Sequence, residues 1–91
     1  MSKIIVEHNP SQAKLDQLDL SSWAIWTKEV SEFPWTYDSQ EQFYVLEGHV
    51  IVTPDGGKPV EIKVGDFVTC PAGMSCTWQV LEPIRKYYQF S

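Results

Sequence analysis

Glu41 is the side chain whose type and setting most clearly suggest chemistry. The run Glu41-Gln42-Phe43-Tyr44-Val45-Leu46-Glu47-Gly48 continues as His49–Thr53, with apolar residues in alternation. If Glu47-Gly48 is a two-residue hairpin turn, Leu46 pairs with His49, Val45 with Val50 and Phe43 with Val52. Glu41, Phe43, Val45, Val50 and Val52 then share one face, and Glu41 is the charged member at its open end. A barrel would turn such a carboxylate inward, near its mouth. Paired with a Lys or Arg it is structural. Buried and unpaired, its pKa rises and it can serve as a general acid or base.

The other reactive side chains are two cysteines and two histidines. Cys70 and Cys76 flank Pro71-Ala72-Gly73 and are free thiols in a reducing compartment, at a spacing that fits no usual zinc pattern. Cys76 is either an inert core residue or a nucleophile or redox site, and the second role needs a base or cation nearby. No histidine is placed to supply one. His8 sits beside Asn9-Pro10, and His49 falls on the face opposite Glu41, so both are expected at the surface or an interface.

The elements that must position these groups are mostly strands. Pro10 and Ser11 start the one candidate helix, Ser11 to Leu18. Alternation between Gly, Pro and Asp turns predicts strands near Ile4–Val6, Trp23–Lys28, Phe33–Tyr37, Gln42–Leu46, His49–Thr53, Val60–Val64, Phe67–Cys70, Cys76–Val80 and Ile84–Phe90. The expected fold class is all-β, an antiparallel barrel or jelly roll with at most one short N-terminal helix. The second face of the Gly48 hairpin carries Tyr44, Leu46 and Ile51. It is too apolar for plain solvent and is expected to lie under the N-terminal segment or a partner subunit.

At 91 residues the chain suits one domain, 1–91. A domain this small gains from oligomerisation, and a homodimer is expected. The net charge of −5 repels a phosphate backbone and argues against nucleic acid. There is no membrane-length apolar run, and the N-terminus lacks a signal-peptide plan, so the expectation is a cytoplasmic protein. Four Trp, four Tyr and four Phe exceed what a small core requires and point to a stacking pocket or an interface.

Two stretches resemble motifs of the cupin family (RmlC-like). Glu41 to Gly48 matches Glu-x6-Gly, and Gly65-Asp66-Phe67-Val68-Thr69-Cys70-Pro71-Ala72-Gly73-Met74-Ser75-Cys76 matches Gly-x5-Pro-x-Gly-x2-His with Cys76 in the histidine position. Counting back from Glu41 puts the family's two earlier histidines on Trp35 and Tyr37, or on Pro34 and Thr36 with the longer spacing, and the later asparagine falls on Val80. Within cupins, Trp26-x2-Glu29-Val30-Ser31-Glu32-Phe33-x-Trp35-x-Tyr37-Asp38 and Cys76-x-Trp78-x-Val80-Leu81-Glu82-Pro83-Ile84-Arg85-Lys86 are similar to the small single-domain group related to ethanolamine-utilisation Q-type and ureidoglycine-aminohydrolase-like proteins. That resemblance implies a six-to-eight-stranded barrel, often dimeric, whose metal motif is degenerate.

The resemblance and the alternation together furnish the barrel mouth with Trp35, Tyr37, Glu41, Phe43, Cys76 and Trp78, plus Tyr87 or Tyr88. Phe43 and Trp78 serve equally well as core. Stacking faces with a carboxylate and a phenol suit a small organic molecule, aromatic or sugar-like, bound without a cofactor. One alternative is an isomerase, lyase or oxygenase that uses Glu41 as acid/base, or a transition metal held by Glu41, Cys76 and Tyr37. Another is an interaction protein that works through its outer strand face.

Overall fold

The structure is a computed structural model that describes residues 3–91. Its elements are β1 (Ile5–His8), α1 (Gln12–Leu18), a 3-10 turn (Leu20–Ser22), β2 (Ala24–Lys28), β3 (Ser31–Thr36), β4 (Glu41–Pro54), β5 (Val60–Lys63), β6 (Asp66–Cys70) and β7 (Ser75–Phe90). All strand pairs are antiparallel, and the fold class is all-β, as the alternation predicts. Ser11 caps α1 by accepting from the Lys14 N–H at 3.2 Å, and Asp19 in the left-handed region ends it.

Two long strands organise the molecule. β4 and β7 pair along their whole length, from Glu41 opposite Phe90 to Pro54 opposite Cys76. Each changes its second neighbour midway. The first half of β4 pairs with β6 and its second half with β5. The first half of β7 pairs with β3 and its second half with β2. β1 lies outside β6. The sheet therefore has two halves, β1-β6-β4-β7-β2 and β5-β4-β7-β3, which share the long strands. The halves close on each other: Trp26 of β2 and Phe43 of β4 meet Trp78 of β7 at centroid distances of 6.1 and 5.6 Å. This is a jelly roll.

The expected hairpin at Glu47-Gly48 is not a hairpin. The chain runs straight on through a bulge, with register shifts against β7 between Val45 and Val50. Gly48 has φ of +102°, and a Cβ there would stand 2.4 Å from the Pro83 carbonyl oxygen. The faces nevertheless come out as expected: Glu41, Phe43, Val45, Val50 and Val52 are all buried. A bulge adds one residue to the alternation, so it flips the parity at the point where a turn would have reversed the chain. The segments expected as strands at Cys76–Val80 and Ile84–Phe90 are likewise one strand, β7, with Leu81, Glu82 and Pro83 exposed at its bend.

The core is built from the inward faces of β4, β5, β6 and β7, with Tyr37 beside them. On the opposite face Phe67 is covered by the N-terminal segment. Trp23 lies 6.3 Å away, and the Lys14 ammonium sits 5.0 Å above its ring. Tyr44, which pairs with Phe67, is half-buried there. Among the described residues, no helix is long and apolar enough to cross a membrane.

Candidate functional site

Glu41 opens β4 in the middle of the sheet, between Cys70 of β6 and Phe90 of β7, and is 3% exposed. Its two oxygens face two different donors. Oε1 accepts from the Tyr37 hydroxyl at 2.7 Å, and Oε2 accepts from Lys86 Nζ at 2.8 Å. Tyr37 is pinned by the Pro71-Ala72-Gly73 turn: its N–H donates to the Met74 carbonyl at 2.9 Å, and its carbonyl accepts from the Gly73 N–H at 2.6 Å. The glycine of the second motif thus fixes the phenol that serves the glutamate of the first.

Lys86 comes from β7, on the same parity as Trp78, Val80, Ile84 and Tyr88, and it pairs with Trp26 of β2. It is 4% exposed. Its ammonium is boxed by the rings of Phe43 at 4.1 Å, Trp78 at 4.4 Å and Trp26 at 4.8 Å. The protein therefore supplies its own guest to an aromatic cage.

Burial governs the ionisation here. It drives the Lys86 pKa below the ordinary lysine value, and the Glu41 carboxylate only partly offsets this. Burial, with Cys70 and Glu41 adding repulsion, pushes the Tyr37 pKa far up, so the phenol stays protonated and donates. Burial also pushes the Cys70 thiol up to about 12 and raises that of Cys76. Neither thiol is a ready nucleophile.

Above the pair lies a cavity of about 170 Å³. Trp26 of β2, Phe33 and Trp35 of β3, Tyr37, Glu41, and Trp78, Lys86, Tyr88 and Phe90 of β7 form its lining. Phe33 and Trp78 stack with an interplanar angle of 11°, and Trp35 stands edge-on to Tyr37. Trp35 is 46% exposed and forms part of the rim. The Trp78 indole nitrogen is buried and makes no hydrogen bond.

Of the residues expected at the mouth, Trp35, Tyr37, Glu41, Trp78 and Tyr88 line this cavity. Phe43 does not; it lies fully buried beneath the Lys86 ammonium. Cys76 also belongs to the core, its Sγ donating weakly to the Trp35 carbonyl at 3.6 Å. Tyr87 has the opposite parity to Tyr88 and faces away. Lys86, Trp26, Phe33 and Phe90 complete the lining without having been anticipated. The signal for Lys86 lay in the alternation of β7, where it shares the inward parity of Ile84 and Tyr88.

The residues do not fit a metal centre. Trp35, Tyr37 and Cys76 stand at three ligand positions of the motif, and an indole N–H cannot ligate. Both Glu41 oxygens already accept from protein donors, one of them a cation. Among the described residues, no group of three or more His, Cys, Asp or Glu converges. The histidines are spent elsewhere: His8 pairs with Asp66 at 2.7 Å and His49 with Glu61 at 2.8 Å.

Comparison with known proteins agrees with the jelly-roll fold. The family model for a EutQ-like cupin domain matches residues 15–88. No curated protein matches the chain. Among solved structures, a DUF861 family protein from Thermotoga maritima is 48% identical, with a TM-score of 0.95 over 98% of this chain and 100% of that one. The ethanolamine utilisation protein Q of Salmonella typhimurium is 29% identical, with a TM-score of 0.66 over 72% of this chain and 53% of that one. A cupin superfamily protein from Desulfitobacterium hafniense, 9% identical, has a TM-score of 0.61 over 94% of this chain and 74% of that one, a likeness of fold alone.

Proposed function

The chain belongs to the EutQ-like cupin domain family, and from that premise we propose that it binds a small, flat organic molecule in the aromatic cavity above the Glu41–Lys86 pair, without a catalytic metal. The carrying observation is that cavity, walled by aromatic rings on three strands and floored by a neutralised ion pair. Its volume of about 170 Å³ is small beside ordinary ligand pockets of ~300–1,000 Å³, which favours a single-ring ligand. A cationic ligand is disfavoured because Lys86 already fills the cage. An oxygen on the ligand would find a donor at the wall in the Lys86 ammonium.

Titration with benzyl alcohol, followed through the indole N–H signals in a 1H–15N spectrum, tests this. Saturable shifts of Trp26, Trp35 and Trp78, with Trp23 unmoved, are expected. No shift at millimolar probe would overturn the assignment. Native mass spectrometry of protein purified without added metal or chelator tests the other half, and a stoichiometric transition-metal adduct would refute the metal-free site.

A further inference from the structure

Building on that pocket assignment, we propose that Lys86 condenses with a small aldehyde or ketone on a flat apolar body to form an imine, with Glu41 carrying the protons. Lys86 is the lysine that lines the cavity, and it is 4% exposed. Lys3, Lys14, Lys28, Lys58 and Lys63 are all exposed or half-buried. An amine attacks a carbonyl only when neutral, and an apolar box is one of the ways proteins keep a lysine neutral. The aromatic rings around Nζ offer it no polar partner, so its one hydrogen bond goes to Glu41 Oε2 at 2.8 Å. Transfer of one proton along that contact leaves an amine and a carboxylic acid and removes two buried charges at once. Burial pulls the lysine pKa in the same direction.

The step balances within the site. The Nζ lone pair attacks the carbonyl carbon, the C–N bond forms, and the C=O π pair moves to oxygen, which takes the Glu41 proton. The positive nitrogen returns a proton to Glu41, leaving a neutral carbinolamine. Glu41 then protonates the hydroxyl, which departs as water as C=N forms. The products are a protonated imine, a carboxylate and water. The imine's positive charge takes the ammonium's place beside Glu41 and the rings. Tyr37 acts as a positioning residue, its phenol holding Oε1 at 2.7 Å so that Oε2 keeps facing Nζ.

The test uses the intact wild-type protein with benzaldehyde and sodium cyanoborohydride, followed by peptide mapping. One benzyl group per chain is expected on Lys86. It should accumulate about tenfold or more faster than on any other lysine, because binding in the cavity holds the carbonyl beside Nζ. Excess benzyl alcohol, which has no carbonyl, should suppress that label selectively. Uniform labelling of the surface lysines with Lys86 unmodified overturns the imine. If benzyl alcohol still shifts the pocket tryptophans in that case, the binding site stands and only the condensation falls. If it does not, both fall. The comparison among lysines is internal to one folded protein, so it does not depend on a variant folding.

Discussion

Lys86 lies opposite Val45 in the β4–β7 register, yet its ammonium meets Glu41 Oε2, farther along β4, at 2.8 Å. The side chain therefore runs lengthwise along the inner face of β4, over Phe43, whose ring centroid is 4.1 Å from Nζ. Its stem is packing and its head is the counter-ion of a buried carboxylate. Fold stability and site chemistry thus depend on the same residue.

Lys86→Ala should destabilise the protein by about 3–5 kcal/mol, because it strands a buried carboxylate and opens a cavity. The double variant Glu41→Gln with Lys86→Met should recover most of that loss, since neither residue is then charged. Urea denaturation of Glu41→Gln, Lys86→Met and the double variant reports the coupling. A cost below ~1 kcal/mol for Lys86→Ala, the range of exposed pairs, would refute the buried-pair account.

Trp35→Ala should leave stability nearly unchanged, because the side chain is 46% exposed. It should weaken benzyl alcohol binding about threefold to tenfold, the ~0.5–1.5 kcal/mol of a stacking contact. Tyr87→Ala, on the other face, should leave the affinity alone. Fluorescence or NMR titration of both variants checks the placement of the pocket, and equal losses would refute it.

Stability should fall at alkaline pH. The Cys70 thiol is raised from 9.0 to about 12, so its contribution is complete below pH 9.0 and is lost as pH rises toward about 12. Tyr37 is raised as well and adds a loss of the same sign above pH 10.0. Lys86 is lowered, so below pH 10.5 the unfolded chain binds more protons there and partly compensates. Above that pH the compensation ends and the decline steepens. Cys70→Ala should remove up to about 1.4 kcal/mol per pH unit from the slope in this window, as urea melts from pH 8 to pH 11.5 would show. An unchanged slope would contradict a buried neutral thiol.

Gly48→Ala should cost well over the ~1–2 kcal/mol of a left-handed alanine, since positive φ and a 2.4 Å approach to the Pro83 oxygen both oppose a Cβ. Gly56 also has positive φ, but nothing lies within 4 Å of its would-be Cβ, so Gly56→Ala should cost only the ~1–2 kcal/mol conformational term. Equal midpoints for the two variants in chemical denaturation would show that the close approach to β7 is not limiting.

Alternation along the chain was enough to place Glu41, Phe43, Val45, Val50 and Val52 on one buried face, and the break in that alternation near Gly48 was visible as a break. Glycine and proline spacing marked the turn that holds Tyr37 and the motifs that place the chain among cupins. Side-chain period is a local property of the backbone, so it can be read without knowing any partner. Whether Gly48 reverses the chain or only bulges depends on what lies across from it, and that is Pro83, far along the sequence. The same holds for the site. Glu41 was legible as an inward carboxylate, but its partner lies 45 residues away on β7, and only the pairing of the two long strands brings Lys86 over Phe43 to meet it. Local pattern determines which way a side chain points, and long-range strand register decides what it meets there.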